Sequence, residues 1–321
     1  MRNLGVALLI MGLLAGGVYR WLQPGTEEVL VEIPSGLNAS GTAQLLKKEG
    51  IIRSVTLFKI FAKLTGVDRK LKPGSYALRR PMAAPLAAWR LHEGKIQPIK
   101  VVIPEGFMAR QIADRLEASG ITSSALFMDY VRKNNLEGFL FPTTYLFAKG
   151  LPAESVAHSM HAEFKKVVEP AFASAGQNRF SLPQVMTLAS IVQREARVMD
   201  EMPVISAVYR NRLTRRMRLE ADPTVQYMLG KDTGEWLQGL RYKHLEEYSP
   251  YNTYRYPGLP PGPICSPGLE AVKAALYPAD EPYLYFVAAD DAGHHVFSTT
   301  YEEHTRNVAR YRREVQKAGK K

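Results

Sequence analysis

Apolar residues recur at helical spacing in one segment near the middle of the chain. Leu188, Ile191 and Val192 stand at positions i, i+3 and i+4, so they share one face of a helix. Glu195 falls at i+7 on the same face. The helix is predicted to begin at Pro183, because proline is favoured in a first helical turn. Glu195 is therefore expected to face the interior, where loss of water raises the pKa of a carboxyl group.

A glutamate on an apolar face has two interpretations. It can form an ordinary ion pair, here with Arg194, Arg197 or Arg210, and structural pairs of this kind also perturb pKa values. Alternatively, a carboxyl group whose pKa lies near neutrality can act as a general acid. Helical spacing alone leaves both interpretations open.

The first half of the chain contains an internal repeat. The segment 31–36 is echoed by 101–106, and five later positions recur in register: Ala43, Leu46, Gly50, Ile51 and Ser54 match Ala113, Leu116, Gly120, Ile121 and Ser124. Each copy predicts a strand, a helix ended by glycine, a second helix and a closing strand. This order resembles the LysM module, which binds glycans that contain N-acetylglucosamine. The alternative is a duplicated structural unit that only positions the rest of the protein.

The second half predicts mostly helices and one hairpin. Helices are expected from about 154 to 173, from Pro203 to about 213, from Asp222, which would cap its helix, and from 301 to 321. A β-hairpin is expected over 283–298. The predicted fold class is α+β, with a repeated LysM-like region at 31–150 and a mixed α+β domain at 151–321.

The N-terminus predicts a membrane anchor. The run from Leu4 to Tyr19 carries no charge and, extended to Leu22, is about long enough to cross a bilayer core of ~30 Å. Arg20 and Trp21 suit the interface between lipid and water. We therefore expect an uncleaved transmembrane signal anchor at 1–22 and a linker at 23–30.

Charge and cysteine content narrow the functional classes. The formal net charge is +11, and the densest basic cluster comprises Arg210, Arg212, Arg215, Arg216 and Arg218. No nucleic-acid-binding motif accompanies it, so attraction to lipid headgroups or to carboxylates of wall peptides explains the charge better, with a merely solvated face as the alternative. The single cysteine, Cys265, excludes an intramolecular disulfide and favours simple packing.

A loop rich in proline and glycine follows a short aromatic segment. Tyr251, Asn252 and Tyr254 precede the run from Gly258 to Gly268, which cannot form a helix or a central strand. Aromatic faces beside an amide suit a sugar ring, which has CH patches on its faces and hydroxyls at its edge. The loop is thus a candidate sugar-binding element, or a rigid connection.

Together these segments resemble the endolytic murein transglycosylases, the MltG/YceG-like family of bacterial cell-wall enzymes. The matching stretches are 188–195, 211–213, 217–219, Asp222–Val225, the loop 251–264, 283–288, Gly293–His294, Phe297 and Glu303–His304. Two positions depart from the family pattern. Gln193 replaces an expected glutamate, which leaves Glu195 as the only carboxylate of its helix segment, and Thr143 replaces an expected aspartate.

The resemblance implies a membrane-anchored lytic transglycosylase. Glu195 would protonate the bond between N-acetylmuramic acid and N-acetylglucosamine and then, as a base, activate the muramic acid 6-hydroxyl, which gives a 1,6-anhydro end. Tyr251, Asn252, Tyr254 and Asp222 would bind the sugar. The implied partners are peptidoglycan strands and peptidoglycan synthases, and the implied place is the inner membrane with the catalytic domain in the periplasm.

Other chemistries are less favoured. The spacing of His294, His295 and His304 fits no standard metal site, so we expect neither metal nor cofactor. Two rival functions stay open. One is a hydrolytic muramidase that uses Asp222 or Glu220 as its second carboxylate. The other is a non-catalytic scaffold that binds the cell wall.

Overall fold

The computed structural model describes residues 25–34, 37–69, 71, 74–93, 98–176, 179–237 and 239–318. The predicted membrane anchor at 1–22 lies outside these residues. Within them, no helix combines the length and apolar character that crossing a bilayer requires. The described residues form two compact units, one made of those up to 100 with 119–121 and 146–155, and the other of 101–118, 122–145 and 156–318.

The first unit contains the first copy of the predicted repeat. Its elements are β1 Glu27–Ile33, α1 Ala39–Lys48, α2 Val55–Leu64, β2 Gly74–Arg80 and α3 Ala84–Glu93. β1 and β2 pair antiparallel, and Leu46, Phe58 and Tyr76 are buried in the core beside them. Asn38 and Ser54 cap α1 and α2 by accepting backbone N–H bonds. The predicted order of strand, two helices and strand is confirmed, and α3 is an addition.

The second copy has the same order. Its elements are β3 Ile99–Val102, α4 Ala109–Ala118, α5 Ser124–Lys133 and β4 Thr144–Phe147, with β3 and β4 in one sheet. Thr143, one of the two departures from the family pattern, accepts the backbone N–H of Ile103 through its carbonyl oxygen. The two copies thus share the predicted order of elements. The likeness to LysM modules and the binding of glycan by the repeats stay predictions.

The remaining elements confirm the expected mixture of helices and one hairpin. They are α6 Ala153–Ser174, α7 Leu182–Glu195, α8 Met202–Thr214, α9 Asp222–Gly230, α10 Tyr242–Leu245, α11 Leu269–Leu276, β5 Tyr285–Ala288, β6 His295–Ser298 and α12 Tyr301–Ala318. β5 and β6 pair antiparallel. The fold of the described residues is thus a mixed α+β arrangement with short two-stranded sheets, as predicted.

Helix α7 lies at the centre of the second unit. Every residue from Val185 to Val192 is buried, so the middle of this helix is covered on all sides. Ile205 of α8 and Val272 of α11 belong to the same core cluster. Burial on all sides fixes α7 in place, and its last residue, Glu195, is held with it.

The proline- and glycine-rich loop is fastened to α7 by hydrogen bonds. The Ser190 hydroxyl accepts the backbone N–H of Ile264 at 3.0 Å and donates to the carbonyl of Thr187 at 2.8 Å. The Gln193 side-chain oxygen accepts the N–H of Gly268 at 2.8 Å. Cys265 is buried between these points, which confirms its packing role. The loop predicted to be rigid is therefore rigidly attached as well.

Replacing Ser190 tests this attachment. Ser190→Ala leaves the buried N–H of Ile264 without its acceptor, so the free energy of unfolding should fall by about 1–3 kcal/mol. Ser174→Ala, at an exposed position of α6, is the matched control and should change it by less than about 0.5 kcal/mol. Urea unfolding of both variants measures the difference, and equal stabilities would contradict the attachment.

Candidate active site

Glu195 lines a cavity of about 250 Å³. We call it the tyrosine cavity, and its lining residues are Glu195, Tyr209, Arg212, Leu219, Glu220, Asp222, Tyr254, Phe286 and His304. The lining comes from the end of α7, from α8, from the start of α9, from the loop at Tyr254 and from α12. Residues far apart in sequence thus surround one carboxyl group.

A second cavity, of about 350 Å³, shares Glu195 and Asp222 with the first. We call it the arginine cavity, because Arg194 and Arg197 line it together with Pro223, Gln226, Ala288, Asp290, Gly293, His295 and Tyr311. The two shared carboxylates therefore stand where the cavities meet. An elongated ligand that occupied both cavities would pass across Glu195.

A third cavity, of about 490 Å³, is larger but lacks these features. It is lined by residues such as Met202, Lys273 and Tyr277, and its lysine is already paired with Glu270 at 2.7 Å. Neither Glu195 nor Asp222 contributes to it. The site is therefore assigned by its chemistry and not by its volume.

The surroundings of Glu195 set its pKa near neutrality. Burial is the largest cause and raises the pKa of Glu195 to about 7, and the charge of Asp222 adds to the rise. The Tyr209 hydroxyl opposes it by donating a hydrogen bond to Oε1 at 2.7 Å. Among the described residues, no salt bridge joins Glu195 to an arginine. The predicted rise in pKa is confirmed, and the ion-pair interpretation is not supported.

Helix α8 supplies two groups that the sequence interpretation missed. Tyr209 and Arg212 stand three residues apart and share one face of the helix. Arg212 is buried and donates to the carbonyls of Leu284 at 2.7 Å and Leu219 at 2.9 Å. Assigning Arg212 to a basic surface cluster was therefore wrong, since its guanidinium is turned inward to hold the backbone.

The other arginines of the predicted cluster also separate. Arg210 stacks on Phe180 and donates to the carbonyl of Ala275 at 3.1 Å. Arg215 and Arg216 are exposed. Two of the five arginines, Arg210 and Arg212, are thus engaged by internal contacts and do not belong to an exposed basic face.

The turn that carries Glu220 is clamped from two sides. Glu220 has a φ of 51°, in the left-handed region that a non-glycine residue adopts only at a cost. Arg212 contacts the Glu220 carboxylate at 3.2 Å, while the backbone N–H of Glu220 bonds to the carbonyl of Thr253. The N–H of Ala221 bonds to the Thr253 hydroxyl at 3.0 Å. These bonds hold Glu220 and Asp222 at the cavity wall.

Asp222 does not cap helix α9, contrary to the expectation from its Asp-Pro-Thr sequence. Ala221 occupies the cap position, and its carbonyl accepts the Thr224 hydroxyl at 2.8 Å. The Asp222 carboxylate instead accepts the Tyr254 hydroxyl at 2.6 Å. The tertiary partner outcompetes the local cap, and Asp222 faces both cavities.

The three predicted sugar-binding residues of the loop have different positions. Tyr254 lines the tyrosine cavity. Asn252 is fully buried, and its amide group donates to the carbonyls of Leu245 and Glu247. The sugar contact predicted for Asn252 therefore has no exposed group to make it. Its side chain shapes the loop that presents Tyr254.

Tyr251 lies outside both cavities and belongs to a second buried cluster. Its ring packs against Tyr227 with 5.0 Å between centroids. The Tyr227 hydroxyl donates to Glu137 at 3.2 Å, and Glu137 also accepts the N–H of Ala109 at 2.9 Å. Burial raises the pKa of Glu137 to about 7. The Glu137 carboxyl group thus connects the second repeat copy to α9. Tyr251 packs its loop against α9 through Tyr227.

The histidines have separate partners. His294 pairs with Asp290 at 2.8 Å, and His295 pairs with Glu201 at 2.6 Å. His304 lines the tyrosine cavity and stacks on Tyr285, and burial lowers its pKa, so a neutral imidazole is favoured there. Within the described ranges, no three metal-ligating side chains gather in one place.

Comparisons with known proteins identify the family of this chain. A family model described as the YceG-like family matches residues 31–310. The endolytic murein transglycosylase of Bacillus subtilis (strain 168) is 31% identical over 310 residues, which cover 88% of this chain and 84% of that protein. The endolytic murein transglycosylase of Streptococcus pneumoniae strain D39 is 27% identical, and the match covers 88% of this chain but only 58% of that longer protein.

A solved structure is also similar to this chain. The crystal structure of a YceG-like protein from Listeria monocytogenes matches with a TM-score of 0.57 and 32% sequence identity. The match covers 87% of this chain and 99% of that one.

The raised pKa of Glu195 should be visible in stability. The pKa lies above its ordinary value of 4.5 in the folded state, so ionisation costs the folded state free energy as pH rises from about 4.5 to about 7. Glu195→Gln cannot ionise and avoids that cost. The stability of the variant relative to the original protein should therefore increase across this range and level off above it.

Urea unfolding at several pH values measures the effect. Glu169→Gln, at an exposed position of α6, is the matched control, because surface substitutions change stability little. The rise in pKa of Glu137 is common to all three proteins and cancels in the comparison. A difference between Glu195→Gln and the original protein that does not vary with pH would contradict the assignment.

Proposed function

This chain belongs to the YceG-like family, and we propose that it is a peptidoglycan lytic transglycosylase, an enzyme of the lyase class. It would cleave the bond between N-acetylmuramic acid and N-acetylglucosamine and leave a 1,6-anhydro-muramic acid end. The names of its relatives support this reaction class. The observation that carries it is a carboxyl group of pKa about 7 at the junction of two cavities.

Glu195 acts first as an acid. Its proton passes to the glycosidic oxygen, and the bond from that oxygen to the anomeric carbon of muramic acid breaks. The Glu195 carboxylate then takes the proton of the muramic acid 6-hydroxyl, whose oxygen attacks the same carbon. No water is consumed. A pKa near 7 suits both halves of this sequence, because the group gives and takes a proton at nearly equal cost.

The neighbours of Glu195 support these steps. Tyr209 holds Oε1 by its hydrogen bond and so orients the carboxyl group. Asp222 is fixed by Tyr254 and lies beside Glu195, where its negative charge stabilises the positive charge that develops at the anomeric carbon. Asp222 thus contributes electrostatically, and Tyr254 joins it in contacting the sugar.

Two cavities that meet at Glu195 suit a cut within a strand. The sugar on one side of the scissile bond would occupy the tyrosine cavity and the sugar on the other side the arginine cavity. Cleavage within the strand is proposed because the curated relatives are named endolytic murein transglycosylases.

The cellular setting forms part of the proposal. The uncharged run at the N-terminus supports single-pass anchoring in a membrane. The family resemblance implies that this is the inner membrane and that the catalytic domain lies in the periplasm. A cut made close to the membrane would act on nascent strands. Peptidoglycan synthases are the partners that such a position brings within reach.

A hydrolytic muramidase is the main alternative, because Glu220 and Asp222 line the same cavity as Glu195 and offer a second carboxylate. Hydrolysis would leave a reducing end, while the lytic reaction leaves a 1,6-anhydro end. A non-catalytic scaffold has less support. Burial of Glu195 beside a cavity lowers the stability of the folded state, and a scaffold would gain nothing from it.

Product analysis distinguishes these functions. Purified glycan strands incubated with the protein should yield 1,6-anhydro ends by mass spectrometry. Glu195→Gln should lower the rate by about 10²–10⁴-fold, the usual contribution of a general acid, and Glu169→Gln should leave it unchanged. Reducing ends would establish hydrolysis instead, and Glu220→Gln and Asp222→Asn would then identify the second carboxylate. Equal cleavage by Glu195→Gln would overturn the assigned role.

The pH dependence of kcat/KM tests the role of Tyr209. Catalysis needs protonated Glu195, so kcat/KM should fall as pH rises above about 7. Tyr209→Phe removes a hydrogen bond that favours the carboxylate, so the pKa should increase and the fall should move to higher pH. Asp222→Asn removes a negative charge and should move it to lower pH. Shifts in the same direction would contradict these assignments.

A further inference from the structure

The arginine cavity holds two cations with few internal partners. Arg194 lies over the ring of Trp236 at 4.0 Å, and its buried Nε has no hydrogen-bond acceptor among the described residues. Arg197 is exposed, and within the same part of the chain no carboxylate lies within ion-pair distance of it. The guanidinium group of Arg197 is thus left available beside the reacting carboxyl group, with Arg194 next to it in the cavity wall.

The carboxylates of the same cavity are already engaged. Asp222 accepts the hydroxyl of Tyr254, and Asp290 accepts both the backbone N–H and the ring of His294. Glu195 accepts the hydroxyl of Tyr209. Each of these acidic groups already accepts a hydrogen bond from another residue, and among the described residues none lies within ion-pair distance of Arg194 or Arg197. An arginine without an internal ion-pair partner favours a ligand group that carries a negative charge.

Glycines let both arginine side chains lie close to the backbone. At Gly293, in the turn between β5 and β6, an added Cβ would stand 2.6 Å from Cβ of Arg197, so any other residue would displace that side chain. At Gly106 an added Cβ would come within 3.5 Å of the Arg194 guanidinium. The stems of both arginines are packed against backbone that no side chain shields.

Resting on the proposed function, we propose that the arginine cavity is a subsite for the carboxylate-bearing substituent of a muramic acid residue. Muramic acid is the sugar of the strand that carries an acid, as a lactyl group or as the peptide attached to it. Arginine suits this group, because its planar fork donates two parallel hydrogen bonds to a carboxylate. The cavity adjoins Glu195, so binding there would place the muramic acid residue next to the cut.

Arg197→Gln tests the subsite without touching the acid itself. On strands that keep their peptides, KM should rise roughly tenfold, the loss of one charge-assisted hydrogen bond, while kcat stays the same. Arg197→Lys should recover part of the affinity, since the charge is retained. Arg215→Gln, an exposed arginine outside both cavities, is the matched control and should behave as the original protein.

Strands stripped of peptide by an amidase identify which carboxylate binds. If Arg197→Gln changes KM on peptide-bearing strands alone, the subsite binds the peptide. If it changes KM on stripped strands alone, the subsite binds the lactyl carboxylate, which is free only after the amidase has cleaved its amide bond to the peptide. A KM that is unchanged on both, or raised equally by Arg215→Gln, overturns the subsite, because the effect would then be absent or one of general charge.

A binding measurement separates this proposal from the proposed function. Fluorescently labelled strands are titrated into Glu195→Gln, with and without Arg197→Gln, so that no turnover is needed. Weaker binding of the double variant supports the subsite even if the original protein produces no 1,6-anhydro ends. Equal binding, together with such ends from the original protein, would remove the subsite and leave the reaction class standing.

Discussion

The site depends on one opposition, between the burial of Glu195 and the hydrogen bond that Tyr209 donates to it. Helix α7 is covered on all sides from Val185 to Val192, and its final residue, Glu195, is half-buried where the two cavities meet. Burial alone would drive the carboxyl group toward permanent protonation. The Tyr209 hydroxyl at 2.7 Å partly offsets this and keeps the pKa at about 7. A group of that pKa can serve as both acid and base.

The helix face that carries Tyr209 also carries Arg212, which lines the tyrosine cavity as well. Arg212 has lost much of its water, a loss that stabilises the fold only if its donors are satisfied. Backbone carbonyls of Leu284 and Leu219 satisfy them, and the Glu220 carboxylate takes a further contact. The strained turn at Glu220 is thereby fixed. Arg212 thus fixes the turn that leads into α9, while Tyr209 on the same helix face holds Glu195 at the end of α7.

Periodicity predicted the part of the site that lies within one element. The spacing of Leu188, Ile191 and Glu195 was enough to place a buried carboxyl group at a helix end, and its raised pKa is confirmed. The contact with Tyr209, 14 residues away, depends on how two helices pack and leaves no periodic signal. For Asp222 the prediction from local sequence was wrong. Its local sequence favoured a cap, but Tyr254, 32 residues later, decided where its side chain points.

The internal partner of each polar side chain separates structural groups from those that remain for a ligand. Asn252 looked like a sugar-binding residue, yet its amide is used within its own loop. Arg212 looked like a surface cation, yet carbonyls occupy its donors. Arg197 lies against Gly293 beside Glu195, and the nearby acids already have partners. A cation packed in place without a counter-charge gains little for the fold, so its counter-charge is best sought in the substrate.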